Sequence, residues 1–524
     1  MKKYLLLLGL ALGGGALTSC ENFLDVNTDP NNPVTSTPNF LLPGGISQAV
    51  QQQMFTSLTT AYITQHIVRR APVSGTDQYY FGTGNGNNTF NYFYFYSSGN
   101  LRATIAAAEA EGSPHYVGAA KIAQAMALAH LTDMMGDVPF TEAWQGAQNY
   151  TPKYDPQEQI YQTIFRLLDE GEAALSRPAS ENLRPLYVTV PSVSGDILYR
   201  GDITKWIKLA YSLRARQLNH LTKKSSYNPQ AVLAAVDKGF TSSADDAQLQ
   251  MEVPVPPVTG STSIFGTARA NFAAATFSQN LLRYLNGSTA NAAYPGVTDP
   301  RLPVMATSVS VGTNPGVSGG TPITQTGNAT DFYSSWYARD LGYQEVITYH
   351  ELKFIEAEAA LRAGNPSRAL RAYRQGIEAH IRKLSSGGTF ASQGLSVTFP
   401  IITQQQIDAY LTSAAVAQNE SQLDFKRIME QKYVALFLNP EAWSDLRRFD
   451  YRPDIYVNFA YPVGVNPLFN PVPNDPAQRK YPRRLLPALT ETQYNPQNVA
   501  AQYAAVGAAN DAEYVASPVW WDQR

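Results

Sequence analysis

The chain has 524 residues, 44% hydrophobic and 16% charged, with a formal net charge of −2. Such values describe a globular body able to bury a sizeable core, and the slight acidic balance offers no electrostatic handle for nucleic acid. A single cysteine in the whole length excludes a disulfide framework.

At the N-terminus, Lys2 and Lys3 precede an apolar run from Tyr4 through Leu12, then Gly13, Gly14, Gly15 and Ala16. That is the layout of a signal peptide, and the run is well short of the roughly 18 to 20 residues a membrane-crossing helix needs. Leu17-Thr18-Ser19-Cys20 resembles a bacterial lipobox, which predicts removal of residues 1–19 and acylation of Cys20 as the first residue of the mature protein. Loss of the two lysines lowers the formal charge to −4. Asp25, Asn27 and Asp29 have the early spacing of a calcium loop, but Pro30 stands where the turn glycine is needed and Ser36 where the final Glu is. No metal and no cofactor is expected.

Next come Tyr79, Tyr80 and Phe81, the polar string Gly82-Thr83-Gly84-Asn85-Gly86-Asn87-Asn88, and the aromatic run Tyr92 to Tyr96. Aromatic rings stack on the C–H faces of sugars, and Asn side chains bond hydroxyls in both directions. Tyr92 to Tyr96 read as the start of a helix continuing through Leu101 and Ile105, with most rings in the core. Tyr79, Tyr80 and Phe81 stand open between core packing and ligand stacking. The glycine string lacks the strand-to-helix context and the Lys of a nucleotide loop and reads as a flexible loop.

Helical periodicity follows: Val117, Ala120, Ala123, Ala127, Leu131 and Met134; then Ile160, Ile164, Leu167, Leu168 and Leu175; then Trp206, Leu209, Ala210 and Leu213. A loop-rich region spans about 241–342 and closes on the aromatics Phe332, Tyr333, Trp336 and Tyr337. Leu352, Ile355, Ala359 and Ala363, a Gly364-Asn365-Pro366 break, and Leu370, Tyr373, Ile377 and Ile381 make a helical hairpin with tetratricopeptide-like spacing. Phe425, Ile428, Met429, Tyr433 and Leu436 make a further stripe. Arg447-Arg448, after Trp443 and Asp445, reads as a buried ion-pair network, with an anion site as the alternative. Trp520 and Trp521 read as core. No linker divides residues 20–524, which read as one body with hairpins over about 116–240 and 349–450.

Enzyme signatures are missing: no His-x-x-x-His pair, no Gly-x-Ser-x-Gly elbow, and Glu351, Glu356 and Glu358 share one turn region instead of opposing each other. The chain reads as a binding protein and not an enzyme.

Several motifs together resemble the SusD/RagB-like nutrient-binding outer-membrane lipoproteins of Bacteroidetes, particularly their second, SusD-like subgroup. They are Phe23-Leu24-Asp25-Val26-Asn27-Thr28-Asp29-Pro30, Gly136-Asp137-Val138-Pro139-Phe140, Pro152-Lys153-Tyr154-Asp155, Lys205-Trp206-Ile207-Lys208, Glu441-Ala442-Trp443-Ser444-Asp445-Leu446-Arg447-Arg448 and Val519-Trp520-Trp521-Asp522. The resemblance implies a mainly α fold, with four tetratricopeptide-like hairpins packed against an irregular, loop-rich ligand-binding part. It implies a surface-exposed lipoprotein of the outer membrane that binds an oligosaccharide, or in some members a peptide, and passes it to a SusC-like TonB-dependent transporter. A tetratricopeptide-type envelope scaffold that binds only proteins is the reading from a different class. The ligand-binding residues expected are Tyr79, Tyr80, Phe81, Asn85, Trp336 and Tyr337, with Cys20 as the lipidation site.

Overall fold

The computed structural model describes residues 36–524 except 70–74, 191–192, 252–261, 307–331, 393–394 and 474. Cys20, the lipobox and the Phe23 to Pro30 motif lie outside the described residues.

Helix α1, Pro38–Ile63, begins with a proline whose missing N–H would have had no intrahelical partner. It continues through Pro43, Gly44 and Gly45, residues that ordinarily interrupt helices. Packing overrides propensity at this point. A Cβ on Gly45 would lie 2.6 Å from Leu101 Cδ2, so the glycine is what lets helix α2, Ser98–Glu111, lie close against α1.

Four helical pairs follow. They are α3 (Pro114–Met135) with α4 (Gln157–Leu175), α5 (Ile203–His220) with α6 (Pro229–Val236), α7 (Tyr349–Arg362) with α8 (Pro366–Leu384), and α9 (Phe425–Ala435) with α10 (Glu441–Arg448). The stripes expected from periodicity are their buried faces, including Ile160, Ile164, Leu167, Leu168 and Leu175 on α4 and Trp206, Leu209, Ala210 and Leu213 on α5. Helix starts are capped as their residue types dictate: Asp202, Asn365 and Asp424 each accept a bond from the N–H three residues on. Between α3 and α4 the contact is set by Gly118 and Gly171. A Cβ on the first would stand 2.7 Å from the Gly171 carbonyl oxygen, and one on the second 2.7 Å from Ile122 Cγ1.

The strands form four antiparallel ribbons: β1 (Ile67–Arg69) with β5 (Ala275–Phe277), β2 (Tyr187–Val190) with β3 (Val193–Gly195), β4 (Ala247–Gln250) with β6 (Tyr343–Ile347), and β7 (Ser386–Ser392) with β8 (Leu395–Ile401). The β4–β6 ribbon, in register at Leu249 and Gln344, ties together the two ends of the loop-rich stretch. This is the mainly α architecture expected, with the irregular part hung on short ribbons.

Charge is buried between the helical pairs. Glu351 of α7 takes a two-pronged bond from Arg216 of α5, both arms at 2.7 Å. Glu358, one helical face further along α7, takes another from Arg448 of α10 at 2.8 Å. Lys432 of α9 reaches Asp445 at 2.8 Å. His220 of α5 bonds Glu441 through Nε2 at 2.7 Å and lies 3.4 Å from Asp133 of α3. Burial raises the Glu358 carboxyl, but Arg448 and Arg362 outweigh it and hold the group well below the usual carboxylate range. Arg447 departs from the expected ion-pair reading. Its guanidinium donates to the Asp133 and Arg483 carbonyls and packs over the Trp443 and Trp521 rings, with no carboxylate partner within ion-pair distance among the described residues.

Three other histidines are buried without a carboxylate. His66, His350 and His380 are at most 1% exposed. Burial pushes His66 down to about 3, and pushes His350 and His380 well below the ordinary imidazole value, with nearby cations adding to the effect. At His380, Arg301 donates to Nδ1 at 3.0 Å, which leaves the proton on Nε2 to bond the Tyr337 hydroxyl at 2.8 Å. His220 goes the other way: burial depresses it, but Glu441 and Asp133 lift it to about 9.

The pH dependence follows from these signs. Burial also pushes His130 down to about 3. Below about pH 6.5 the unfolded chain therefore binds four protons that the fold refuses, so stability falls with acid at up to about 5 kcal/mol per pH unit. Above about pH 6.5 the fold alone keeps the His220 proton, so its contribution is lost as pH rises through about 9. Thermal melting should peak near pH 6.5 and drop more steeply on the acid side. A melting temperature that is flat from about pH 6.5 to pH 5 would contradict neutral burial of these four histidines.

Candidate functional site

The outward face of α1 organises the candidate site. Ser47, Gln51, Phe55, Leu58 and Tyr62 recur at helical spacing and remain partly exposed, while the intervening residues other than Gln48 and Thr59 pack inward. Beside this stripe the aromatic run forms a π-helix, Tyr92–Ser97, between a short α-turn, Asn87–Asn91, and α2. Single π-turns inside α-helices occur frequently at functional sites. The wider turn sends Phe93 fully into the core and leaves Phe95 and Tyr96 59% and 49% exposed. The expectation that most of these rings would be core is therefore corrected; the helix forms, but one ring of five is buried.

These rings join the α1 stripe. Phe55 stacks on Tyr92 with centroids 4.7 Å apart and planes 26° from parallel. Tyr92 meets Tyr96 edge-on at 5.3 Å. Burial raises the Tyr92 phenol, and the charge of Arg269 opposes the rise. At the far end Tyr62 meets Phe272 edge-on at 6.1 Å. Burial pushes the Tyr62 phenol up to about 12, against the pull of Arg69 and with Asp77 and Tyr333 adding, so at neutral pH it is a hydroxyl that donates and accepts.

One turn before Phe55, Ser47 and Gln51 line a cavity of ≈ 830 Å³. Its opposite wall comes from the β4–β6 ribbon, with Gln248, Gln250 and Tyr343, and from Arg200. The arrangement is an amide-lined hollow continuous along α1 with an arc of aromatic rings. It suits a ligand with apolar faces and a belt of hydroxyls.

The residues expected from sequence lie elsewhere or turn inward. Tyr79 is 1% exposed and packs against Phe469 at 5.4 Å and Tyr461 at 6.0 Å. Phe81, partly exposed, belongs to the same cluster, and Tyr80 is also partly exposed. Asn85 accepts the Leu486 N–H at 2.9 Å and Asn87 the Leu489 N–H at 2.7 Å, so the glycine string is stitched to the C-terminal segment. Trp336 is 5% exposed under the Arg339 guanidinium, 3.8 Å from its ring, and Tyr337 holds His380. Tyr79 and Trp336 thus present no open ring face in this structure, Tyr337 is partly exposed with its hydroxyl on His380, and no ring contact joins the two groups among the described residues. Phe55, Tyr62 and Gln51 were missed; their spacing was the available signal.

Among the described residues no cluster of His, Asp, Glu or Cys is arranged to hold a metal, and no helix is long and apolar enough to cross a membrane. Glu351 and Glu358 are committed to Arg216 and Arg448, and Glu356 to Lys353 and Arg368.

A family profile described as "Starch-binding associating with outer membrane" matches residues 30–461, which include α1, the π-helix and all four helical pairs. The chain belongs to the SusD-like family. Solved structures agree on the fold. A SusD homolog from Bacteroides fragilis superposes with a TM-score of 0.70 at 20% identity, covering 94% of this chain and 100% of its own. A chitin-binding protein does so at 0.68 and 24% identity, covering 93% and 100%. A chitin-binding SusD homolog from Flavobacterium johnsoniae does so at 0.68 and 19% identity, covering 93% and 98%. No curated protein matches the chain significantly.

Core and surface rings should separate in a stability measurement. Tyr79→Ala removes a ring from a closed cluster and should cost about 3–5 kcal/mol by denaturant unfolding. Tyr96→Ala should change stability by less than about 0.5 kcal/mol. Equal losses would place Tyr96 in the core.

Proposed function

We propose that this SusD-like chain is a cell-surface receptor that captures oligosaccharide on the outward face of α1 and passes it to a SusC-like TonB-dependent transporter. The reading is carried by the open arc of Phe55, Tyr92 and Tyr96 beside an amide-lined cavity. A pyranose ring lays its C–H face on a Tyr or Phe ring, and Gln51, Gln248 and Gln250 can each donate to and accept from its hydroxyls. The chitin-binding descriptions of two structural relatives support a sugar ligand. Binding and release need no bond-breaking group, and the grouped carboxylates of α7 already serve as ion-pair partners. Tyr80 and Phe81, partly open beside the separate Tyr79 cluster, are proposed as further ligand contacts outside this arc.

Calorimetry with chitooligosaccharide, maltooligosaccharide and short peptides tests the proposal. One of the saccharides should bind, and Tyr92→Ala and Tyr96→Ala should each weaken it by roughly two- to tenfold. Unchanged affinity in both variants removes the site from this face; binding of peptides alone replaces the ligand class, and binding of envelope proteins alone favours the scaffold reading.

The proposed receptor is held in the outer membrane by lipid on Cys20 after loss of residues 1–19, and residues 20–524 act as one body. Several acyl chains, at about 0.8 kcal/mol per buried methylene, anchor stably where one does not. Cys20→Ala should move the protein from the membrane to the soluble fraction. Retention in the membrane of cells lacking the transporter would contradict the anchor.

A further inference from the structure

A second cavity, ≈ 850 Å³, lies apart from α1 and the π-helix, between the end of α5, the end of α10 and the C-terminal segment. Six cationic side chains line it against two carboxylates, Glu158 and Asp450, in a chain whose formal net charge is −2. Most of these cations have partners. Lys223 bonds Asp450 at 2.6 Å and Asp522 at 2.7 Å, Arg362 and Arg448 share Glu358, and Arg452 pairs with Asp454.

Lys224 does not. Its ammonium has no ion pair or hydrogen bond among the described residues and stands 4.9 Å over the ring of Trp520. Burial draws its pKa below the ordinary lysine value, against the pull of Glu158 and Asp522. Trp520 remains partly exposed, braced edge-on by Tyr161 at 5.5 Å. Deeper in the same cavity wall, Arg448 has no exposed side-chain surface, yet its Nε is buried without a hydrogen-bond partner. Phe425, Phe449 and Ile455 supply an apolar floor. An ammonium without a carboxylate partner at the mouth, held only against the partly exposed Trp520 ring, and a guanidinium N–H without an acceptor in the wall together describe a site for an anion carried on an apolar ring.

We propose that this cavity binds a saccharide unit bearing a carboxylate or sulfate, with the anionic group met by Lys224 and the ring stacked on Trp520. The site is independent of the α1 face, and one can fail without the other.

Titration calorimetry of the purified full chain at low salt tests the proposal with glucuronate, glucose 6-sulfate, glucose and inorganic sulfate as probes. At least one anionic sugar should bind about tenfold or more tightly than glucose or inorganic sulfate, and the preference should shrink in 0.5 M salt. Which of the two anionic sugars binds identifies the charged group. Lys224→Gln, which breaks no hydrogen bond or ion pair of the fold and only the contact with the Trp520 ring, should weaken the anionic sugar about tenfold while lowering the melting temperature little, and Lys224→Arg should restore much of the loss. Trp520→Leu should weaken the sugar but not alter the salt dependence. The proposal is overturned if neither anionic sugar binds, if inorganic sulfate binds as tightly, or if Lys224→Gln leaves the affinity unchanged.

Discussion

Arg448, wholly enclosed, is held between Glu358 and Asp445, and Glu351, equally enclosed, is held by Arg216. These contacts join α5, α7 and α10, and Lys432 and His220 extend them to α9 and α3. Helices with small, similar apolar faces can slide past one another by a turn at little loss of buried area. A slide that parts a buried carboxylate from its cation is different, because one stranded charge costs about 3–5 kcal/mol. The charges therefore set the register of the helical pairs more sharply than the apolar stripes do.

The same frame reaches the ligand face. The Val346 carbonyl of β6 accepts from Arg216 at 2.8 Å and from Gln53 of α1 at 2.9 Å. Gln53 also donates to Asn439, beside α10, at 3.3 Å. The inward side of α1 is thus bonded to the buried charge frame, and its outward side carries Gln51 and Phe55. A rigid back to this helix keeps the ring arc preformed, so little ordering cost would fall on a ligand bound there.

Periodicity read the hairpins well because their stripes are long and their breaks are marked, as at Gly364-Asn365-Pro366. On α1 the spacing of Gln51, Phe55, Leu58 and Tyr62 is a weaker signal, because Pro43, Gly44 and Gly45 ordinarily interrupt a helix and only the packing of Leu101 accounts for Gly45. Periodicity also misjudged direction among aromatics. Tyr79 looked half-available and is enclosed because Tyr461, Phe469 and Leu486, far along the chain, pack against it. Trp521 is core as expected, whereas Trp520 is only partly buried against it: in the terminal turn Trp520–Asp522 the first ring meets Tyr161 and Lys224, the second His220 and Arg447. Arg447 and Arg448 looked equivalent and diverge, one finding carbonyls and ring faces, the other carboxylates. In each case the deciding contact is long-range, and local pattern holds no record of it.

The π-helix at Tyr92–Ser97 has a consequence for how such a face can change over time. Each residue advances an α-helix by about 100°, so one residue of surplus, absorbed in a wide turn, rotates the side chains before it relative to all that follow. Phe93 can then lock into the core on one phase while α2 packs through Leu101 on another. Lineages that gain or lose that single residue would re-aim the tyrosines without altering one side chain. Ligand preference in such a helix can drift by insertion and deletion while the scaffold behind it stays still.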